Sequence, residues 1–402
     1  MRVFLFLVVF FCQCHVIAQT IPDLRTQPKV DWKFATHGPI VSSPVIDGKT
    51  VFVGSADSTL YSINIATGKL QWMHKINGPI KATVCIEGDR VFLAGGDGIL
   101  YCFSKGSGRQ EWIFKTRGEK LYELYSYADY YHSSPTLHNG VLYFGSGDSS
   151  VYAVKSSNGE LLWRFKTGDV VHSSPVVDHE RLIVGSFDGT VYALRCDNGG
   201  VIWKFKTVGH RFFPKGELQG SPVVGNGLVY IGARDYNVYA IDLKKGYSHW
   251  NHVFPLGWAT ALSCRDTILY VGTSDDDVMM AVDGRTGKEL WKTDVQFNIF
   301  GPCAFTDSML YFGTLMGKFF GMDLRTGAVR WSYNTDGYNA NHTKYFKSEE
   351  KIVKDDFYAI VQTPEGYISA LHELGAIFSA PAISQDYIVV ASTDGTVYCL
   401  GR

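Results

Sequence analysis

Phe187 to Thr207 reads FDGTVYALRCDNGGVIWKFKT. Gly199 stands four residues before Trp203, and Ala193 ten before it. The same spacing returns along the chain. Trp72, Trp112, Trp163, Trp203, Trp250, Trp291 and Trp331 follow Gly68, Gly108, Gly159, Gly199, Gly246, Gly287 and Gly327 by four residues each. Ten residues before each Trp is a small residue: Ser62, Cys102, Ala153, Ala193, Ala240, Ala281 and Gly321. With Trp32 included, the Trp intervals are 40, 40, 51, 40, 47, 41 and 40 residues. A period near 40 built from alternating apolar runs signals a propeller or a solenoid.

Three strand-like runs precede each Trp run; in the Trp203 unit they are SSPVV, RLIVGS and TVYAL. Gly, Asp and Asn bound them, so each unit predicts four short antiparallel strands, one propeller blade. The last unit, FSAPAIS to YCLGR, stops at Arg402 where its Trp strand is due. VDWKFAT at 30–36, with Trp32, supplies that strand from the other end of the chain. Closure of this kind has no use in a solenoid, so the expectation is an all-β, eight-bladed propeller. Its Trp side chains (Trp32, Trp72, Trp112, Trp163, Trp203, Trp250, Trp291 and Trp331) dock blade on blade, because Gly and a small residue leave room for a flat indole.

Residues 1–18 (MRVFLFLVVFFCQCHVIA) read as a secretory signal peptide cleaved before Gln19, and 19–402 as a single propeller. Neither Cys12 nor Cys14 sits in a lipobox, so the chain is expected to be exported, periplasmic or extracellular, without a lipid anchor or a transmembrane segment. A net charge of −1 gives no reason to expect nucleic acid as a partner. The six remaining cysteines, Cys85, Cys102, Cys196, Cys264, Cys303 and Cys399, are scattered, and Cys102 and Cys399 fall in the small-residue slot; all six are read as buried hydrophobes.

AVDGRTGKELW, Ala281 to Trp291, resembles the repeat of the pyrroloquinoline quinone (PQQ) propeller family, and the resemblance extends over nearly all of 19–402. It implies the fold closely and the function loosely. One branch, the quinoprotein alcohol dehydrogenases, holds PQQ and Ca²⁺; the other, resembling the outer-membrane assembly factor BamB, has no cofactor. The chain lacks the vicinal Cys-Cys and the C-x-x-C-H haem signature of the first branch, and in size it is similar to the second. No cofactor is therefore expected, with PQQ and Ca²⁺ as the alternative.

Three units carry insertions, at about 117–131, 207–219 and 335–375, all between an outer strand and the next inner strand and hence on one face. Tyr122, Tyr125, Tyr127, Tyr130 and Tyr131 in the first, and Phe212 and Phe213 in the second, are candidate contacts for a protein or envelope polymer. In the third, Phe346, Val353, Phe357 and Ile360 have helical spacing, with Lys347, Glu350, Lys351 and Lys354 opposite, which predicts an amphipathic helix. Removing 120–131 or 340–372 is expected to abolish partner capture and leave melting nearly unchanged.

Aligned on the VGS runs, one position per blade forms a ring at the channel mouth: Val41, Lys81, His132, His172, Gln219, Ala259, Phe300 and Phe378, with Trp258 beside Ala259. The alternative function is a carbohydrate or small-ligand site at this ring. His132 and His172 alone fall short of the three protein ligands that zinc takes, so no metal is expected. The recurring Asp57, Asp97, Asp148, Asp188, Asp235, Asp275 and Asp394, with Met316 in the eighth place, are read as hairpin-turn residues. Asn341-His342-Thr343 matches a glycosylation acceptor. No catalytic constellation stands out, and the expectation is a monomeric, non-enzymatic scaffold.

Overall fold

The computed structural model describes residues 21–123, 128–348 and 352–401. The leader read at 1–18 lies outside the described residues, as do Tyr125, Tyr127, Glu350 and Lys351. Eight four-stranded antiparallel sheets form the ring. Seven are sequential blades, and the eighth joins Ala382–Ile383, Tyr387–Ala391 and Thr396–Gly401 to Lys29–Ala35. The closing pair runs antiparallel, with Trp32 opposite Cys399 and Ala35 opposite Thr396.

Each indole lies between two small groups. Its own blade contributes the residue ten positions earlier, as in Ala281 opposite Trp291. The next blade contributes the glycine: a Cβ on Gly287 would stand 2.8 Å from the Trp250 ring and one on Gly108 2.5 Å from Trp72. These glycines also sit at positive φ, +71° at Gly287 and +67° at Gly108, where an L side chain is strained. In six of these contacts the indole N–H then donates to a carbonyl three residues before that glycine, as in Trp291 to Leu324 O at 3.0 Å and Trp32 to Ile65 O at 2.6 Å, whereas Trp112 Nε1 has no partner. Blade eight has no such turn, and Trp331 instead finds Leu24 O at 2.7 Å in the segment leading to the closing strand.

The recurring aspartates have a second task besides making turns. In six blades the carboxylate accepts from a tyrosine four residues on, as in Asp235 and Tyr239 at 2.6 Å. It also accepts from the backbone of the incoming connection, as in Gly168 N to Asp188 at 2.8 Å. Of the two other blades, one keeps the acid and replaces the tyrosine, Asp275 with Met279, and blade seven changes both, to Met316 with Phe320. Blade seven does so for a visible reason: Leu315 and Met316 are fully buried beneath the third insertion.

That insertion folds into α1 (Asp336–Tyr345), α2 (Lys354–Ile360) and α3 (Pro364–Leu374). Thr335 caps α1 by accepting from Tyr338 N, and Thr363 caps α3, which opens on Pro364 and ends at left-handed Gly375. The single amphipathic helix expected across 346–360 does not form. Phe346 and Phe357 are buried together against Phe297, whereas Val353 and Ile360 are exposed. Asn341 lies within α1 and donates its amide to Glu373 O at 2.8 Å, so it is not a free acceptor for glycan.

The expectation that the insertions could be removed without consequence for melting is also corrected. Ala128 and Tyr130 from the first insertion and seven buried residues of the third segment, from Tyr338 to Leu374, share one apolar cluster with Phe297, Phe300 and Phe378. They are core. All six cysteines are free thiols: four are buried, while Cys85 and Cys264 are half-buried. No helix among the described residues is long and apolar enough to cross a membrane.

Candidate functional site

The predicted ring is present, with one change of register. Val41, Lys81, His132, His172, Gln219, Phe300 and Phe378 line the axial cavity, and blade six contributes Thr260. Ala259 is instead fully buried in the cluster shared with blade five. Thr260 lies ten residues after Trp250, whereas Lys81, His172 and Phe300 lie nine after Trp72, Trp163 and Trp291. The extra residue shifts the alternation, so that Thr260 and Leu262 face the cavity and Ala259 and Ala261 face the core. One layer deeper, Ser43, Thr83, Ser134, Ser174 and Ser221 form a hydroxyl arc across five consecutive blades. Each hydroxyl accepts from the backbone N–H of the preceding blade, for example Ser134 N to Ser174 Oγ at 2.9 Å.

The mouth of this channel is closed. The first insertion turns inward, and Tyr131 reaches across the axis from blade three to donate to Phe300 O and Phe378 O, both at 3.1 Å. Tyr130 packs above it, 5.3 and 5.0 Å from the Phe300 and Phe378 rings. The cavity beneath measures about 220 Å³.

The plug is fastened by buried charge. Asp129 accepts from His172 Nδ1 at 2.8 Å and from Tyr122 N at 2.9 Å, while Lys81 donates to its carbonyl at 3.0 Å. Glu119 takes the other nitrogen of His172, Nε2, at 2.6 Å. Burial pushes the imidazole toward neutrality, but Asp129 and Glu119 outweigh it and lift the pKa to about 9, so His172 is charged at neutral pH. His132, ring centroid 5.2 Å away, is driven well down by burial and by the charges on His172 and Lys81. Its Nδ1 is buried without a hydrogen-bond partner.

Beside this group, Arg234 is wholly buried. It donates to Ala128 O at 2.6 Å and Gln219 Oε1 at 2.8 Å, and its guanidinium lies 4.8 Å from the Trp258 ring and 5.1 Å from Phe187. Glu217, equally buried, accepts from Tyr122 OH at 2.6 Å. Lys81, His172 and Arg234 are thus matched against Glu119, Asp129 and Glu217. The first and second insertions are thereby tied together. Glu119, Asp129, Glu217 and Arg234 were absent from the sequence reading. Arg234 had a signal, since its place before the turn Asp holds Ala56, Gly96, Gly147, Phe187, Ser274, Leu315 and Thr393 elsewhere.

Above the plug the insertions build a second cavity of about 350 Å³, floored by Tyr130, Trp258 and Phe300 and walled by Tyr358, Val361 and Tyr367. Asn298 lines it, and its Oδ1 is buried with no hydrogen-bond partner. Of the predicted loop contacts, Tyr122 and Tyr130 are buried in the plug and Phe213 packs 4.8 Å from Trp258. Phe212 is exposed.

PQQ is a planar tricarboxylate that needs a flat slot and free cations, with calcium beside it on six to eight oxygens. Here Tyr130 and Tyr131 fill the axis, Lys81 and His172 are already held by Asp129 and Glu119, and Arg234 is wholly buried outside the lining of the axial cavity. The cavity that remains falls below the roughly 300 Å³ at which small-molecule sites begin. These residues do not fit the quinone or its calcium.

Solved structures share the ring. BamB from Moraxella catarrhalis superposes with a TM-score of 0.69 over 94% of this chain and 100% of that one, at 14% identity. Quinohemoprotein alcohol dehydrogenase from Comamonas testosteroni gives 0.69 over 93% and 76%, at 13% identity. At these identities the likeness establishes the fold alone. In sequence, the outer membrane protein assembly factor BamB of Burkholderia pseudomallei is 27% identical over 113 residues, 28% of this chain and 29% of that protein. The family model for outer membrane protein assembly factor BamB matches residues 23–132, 126–257 and 254–373, and the chain belongs to that family.

Proposed function

We propose that this propeller is an exported, monomeric, non-enzymatic scaffold that docks another protein of the cell envelope on its insertion-bearing face, in the manner of an assembly factor. One observation carries the reading: the insertions seal the axis and set exposed apolar side chains around that end of the ring. Leu121, Val208, Phe212, Leu256, Tyr358 and Ile360 are large, exposed and all on connections of this face. Exposed apolar and aromatic groups gathered on a rigid support mark an interaction surface. Membership of the BamB family supports a protein partner, and the leader read at 1–18 supports export.

The test is site-specific photocrosslinking in the native envelope. Probes at Phe212 and Tyr358 are expected to give one discrete adduct, and a probe at Leu162 on an outer strand none. A Phe212→Asp/Leu256→Asp variant carrying the probe at Tyr358 should lose the adduct with its melting temperature unchanged. Equal adducts at all three sites, or none, would sink the proposal.

The unpartnered Asn298 Oδ1 favours a second reading, in which the carbohydrate or small-ligand site expected at the ring lies in the cleft beside Trp258. Trp258→Ala should then abolish glycan-array binding that the Phe212/Leu256 double variant retains.

A further inference from the structure

Glu119, His132 and His172 stand apart from the docking face, at the junction of plug and channel wall. Each offers one ligand atom, and the three atoms lie within 4.8 Å of one another. Two further observations point to a ligand. The His132 Nδ1 is buried without a partner in a residue only 6% exposed. In addition, His172 is already arranged as a metal-binding histidine is: Asp129 holds its Nδ1 side at 2.8 Å and leaves Nε2 toward Glu119. A carboxylate on the far nitrogen is the usual outer support of a ligating imidazole, because it fixes the ring and its tautomer. Asp129 is itself fixed by Tyr122 N, and Glu119 by Gly147 N at 2.9 Å.

We propose that Glu119, His132 and His172 form a site for a late first-row divalent transition ion, zinc foremost, which clips the plug to blades three and four. Two imidazoles and one carboxylate are a donor set suited to zinc and poorly suited to calcium or magnesium. Ligand atoms about 2.1 Å from a tetrahedral ion stand about 3.4 Å from each other, so the trio has to close by somewhat over 1 Å at its widest. The ion replaces the proton that Nε2 and the Glu119 carboxylate now share. His132 and His172 both line the axial cavity, which supplies a way in and room for a water as fourth ligand. The ion would bond an insertion residue, Glu119, to two residues that lead into inner strands, and so act as a structural latch on a loop otherwise held by hydrogen bonds and ion pairs.

The test uses the whole mature chain from residue 19, freed of metal and then given Zn²⁺ or, for its visible spectrum, Co²⁺. One ion per chain should be seen by native mass spectrometry, with the strong visible absorption of tetrahedral Co²⁺ and a rise in melting temperature. His132→Gln and Glu119→Gln should each weaken uptake at least tenfold and abolish the melting shift. His132→Gln serves as the decisive variant, since its metal-free melting curve reports whether the fold has survived the change. Absence of stoichiometric uptake overturns the proposal, as does uptake with unchanged affinity in a folded His132→Gln protein.

Discussion

Single positions in this chain do work that is repeated around the ring, and each can be probed alone. Gly287 combines a left-handed backbone with contact on the Trp250 ring. Gly287→Val introduces strain and an overpacked indole together, and a loss of about 2–4 kcal/mol is expected, read from the urea midpoint. Trp250 will report it as a red-shifted fluorescence maximum. These positions were legible in the sequence because blade docking demands the same small groups at seven of the eight interfaces, so the requirement shows as a period. What belongs to one blade alone was not legible in the same way. Arg234 breaks its column and was detectable in principle. Glu119 and Asp129 lie in an insertion that has no counterpart in other blades, and only the inward turn of that loop reveals them.

The insertions and the terminal segment behave as structural elements in their own right. Arg234→Met would remove the buried cation whose field reaches both Asp129 and Glu217, and a destabilisation of about 3–5 kcal/mol is expected in equilibrium urea unfolding. Adding Glu217→Gln to that variant should restore part of it. The segment before the closing strand is anchored by Asp23, whose carboxylate accepts from Ser308 N and Thr306 Oγ1, each at 2.8 Å. Burial pushes its pKa up, but the hydrogen bonds from Ser308, Thr306 and Arg25 prevail and hold it at about 2. A folded pKa below the unfolded value of about 3.9 means that this contribution is complete above pH 4 and disappears as pH falls toward 2. Asp23→Asn should therefore melt below the parent protein at pH 7, and the gap should close by pH 2 in parallel thermal scans. The helical spacing of Phe346, Val353, Phe357 and Ile360 misled because it ran across the break between α1 and α2. Burial there follows packing on Phe297 and blade seven rather than one helical stripe. The Thr260 register escaped for a related reason, since a uniform count back from the VGS run cannot sense one added residue.

At the scale of the molecule, the ring is held shut by one strand pair between residues 29–35 and 396–401. Deleting 21–35 should open it, leave Thr396–Gly401 as a bare edge and give concentration-dependent light scattering. A peptide of residues 21–36 added in trans should suppress that scattering; if it does not, the closing strand acts through something other than pairing. The same closure constrains how the protein is made. The strand at 29–35 has its partner more than 360 residues further along the chain. The blades between can assemble as the chain lengthens, yet the circle cannot be completed until 396–401 has been made. Until then the strand at 29–35 stays an unpaired, adhesive edge, and it is in that interval that a holding chaperone has most to protect.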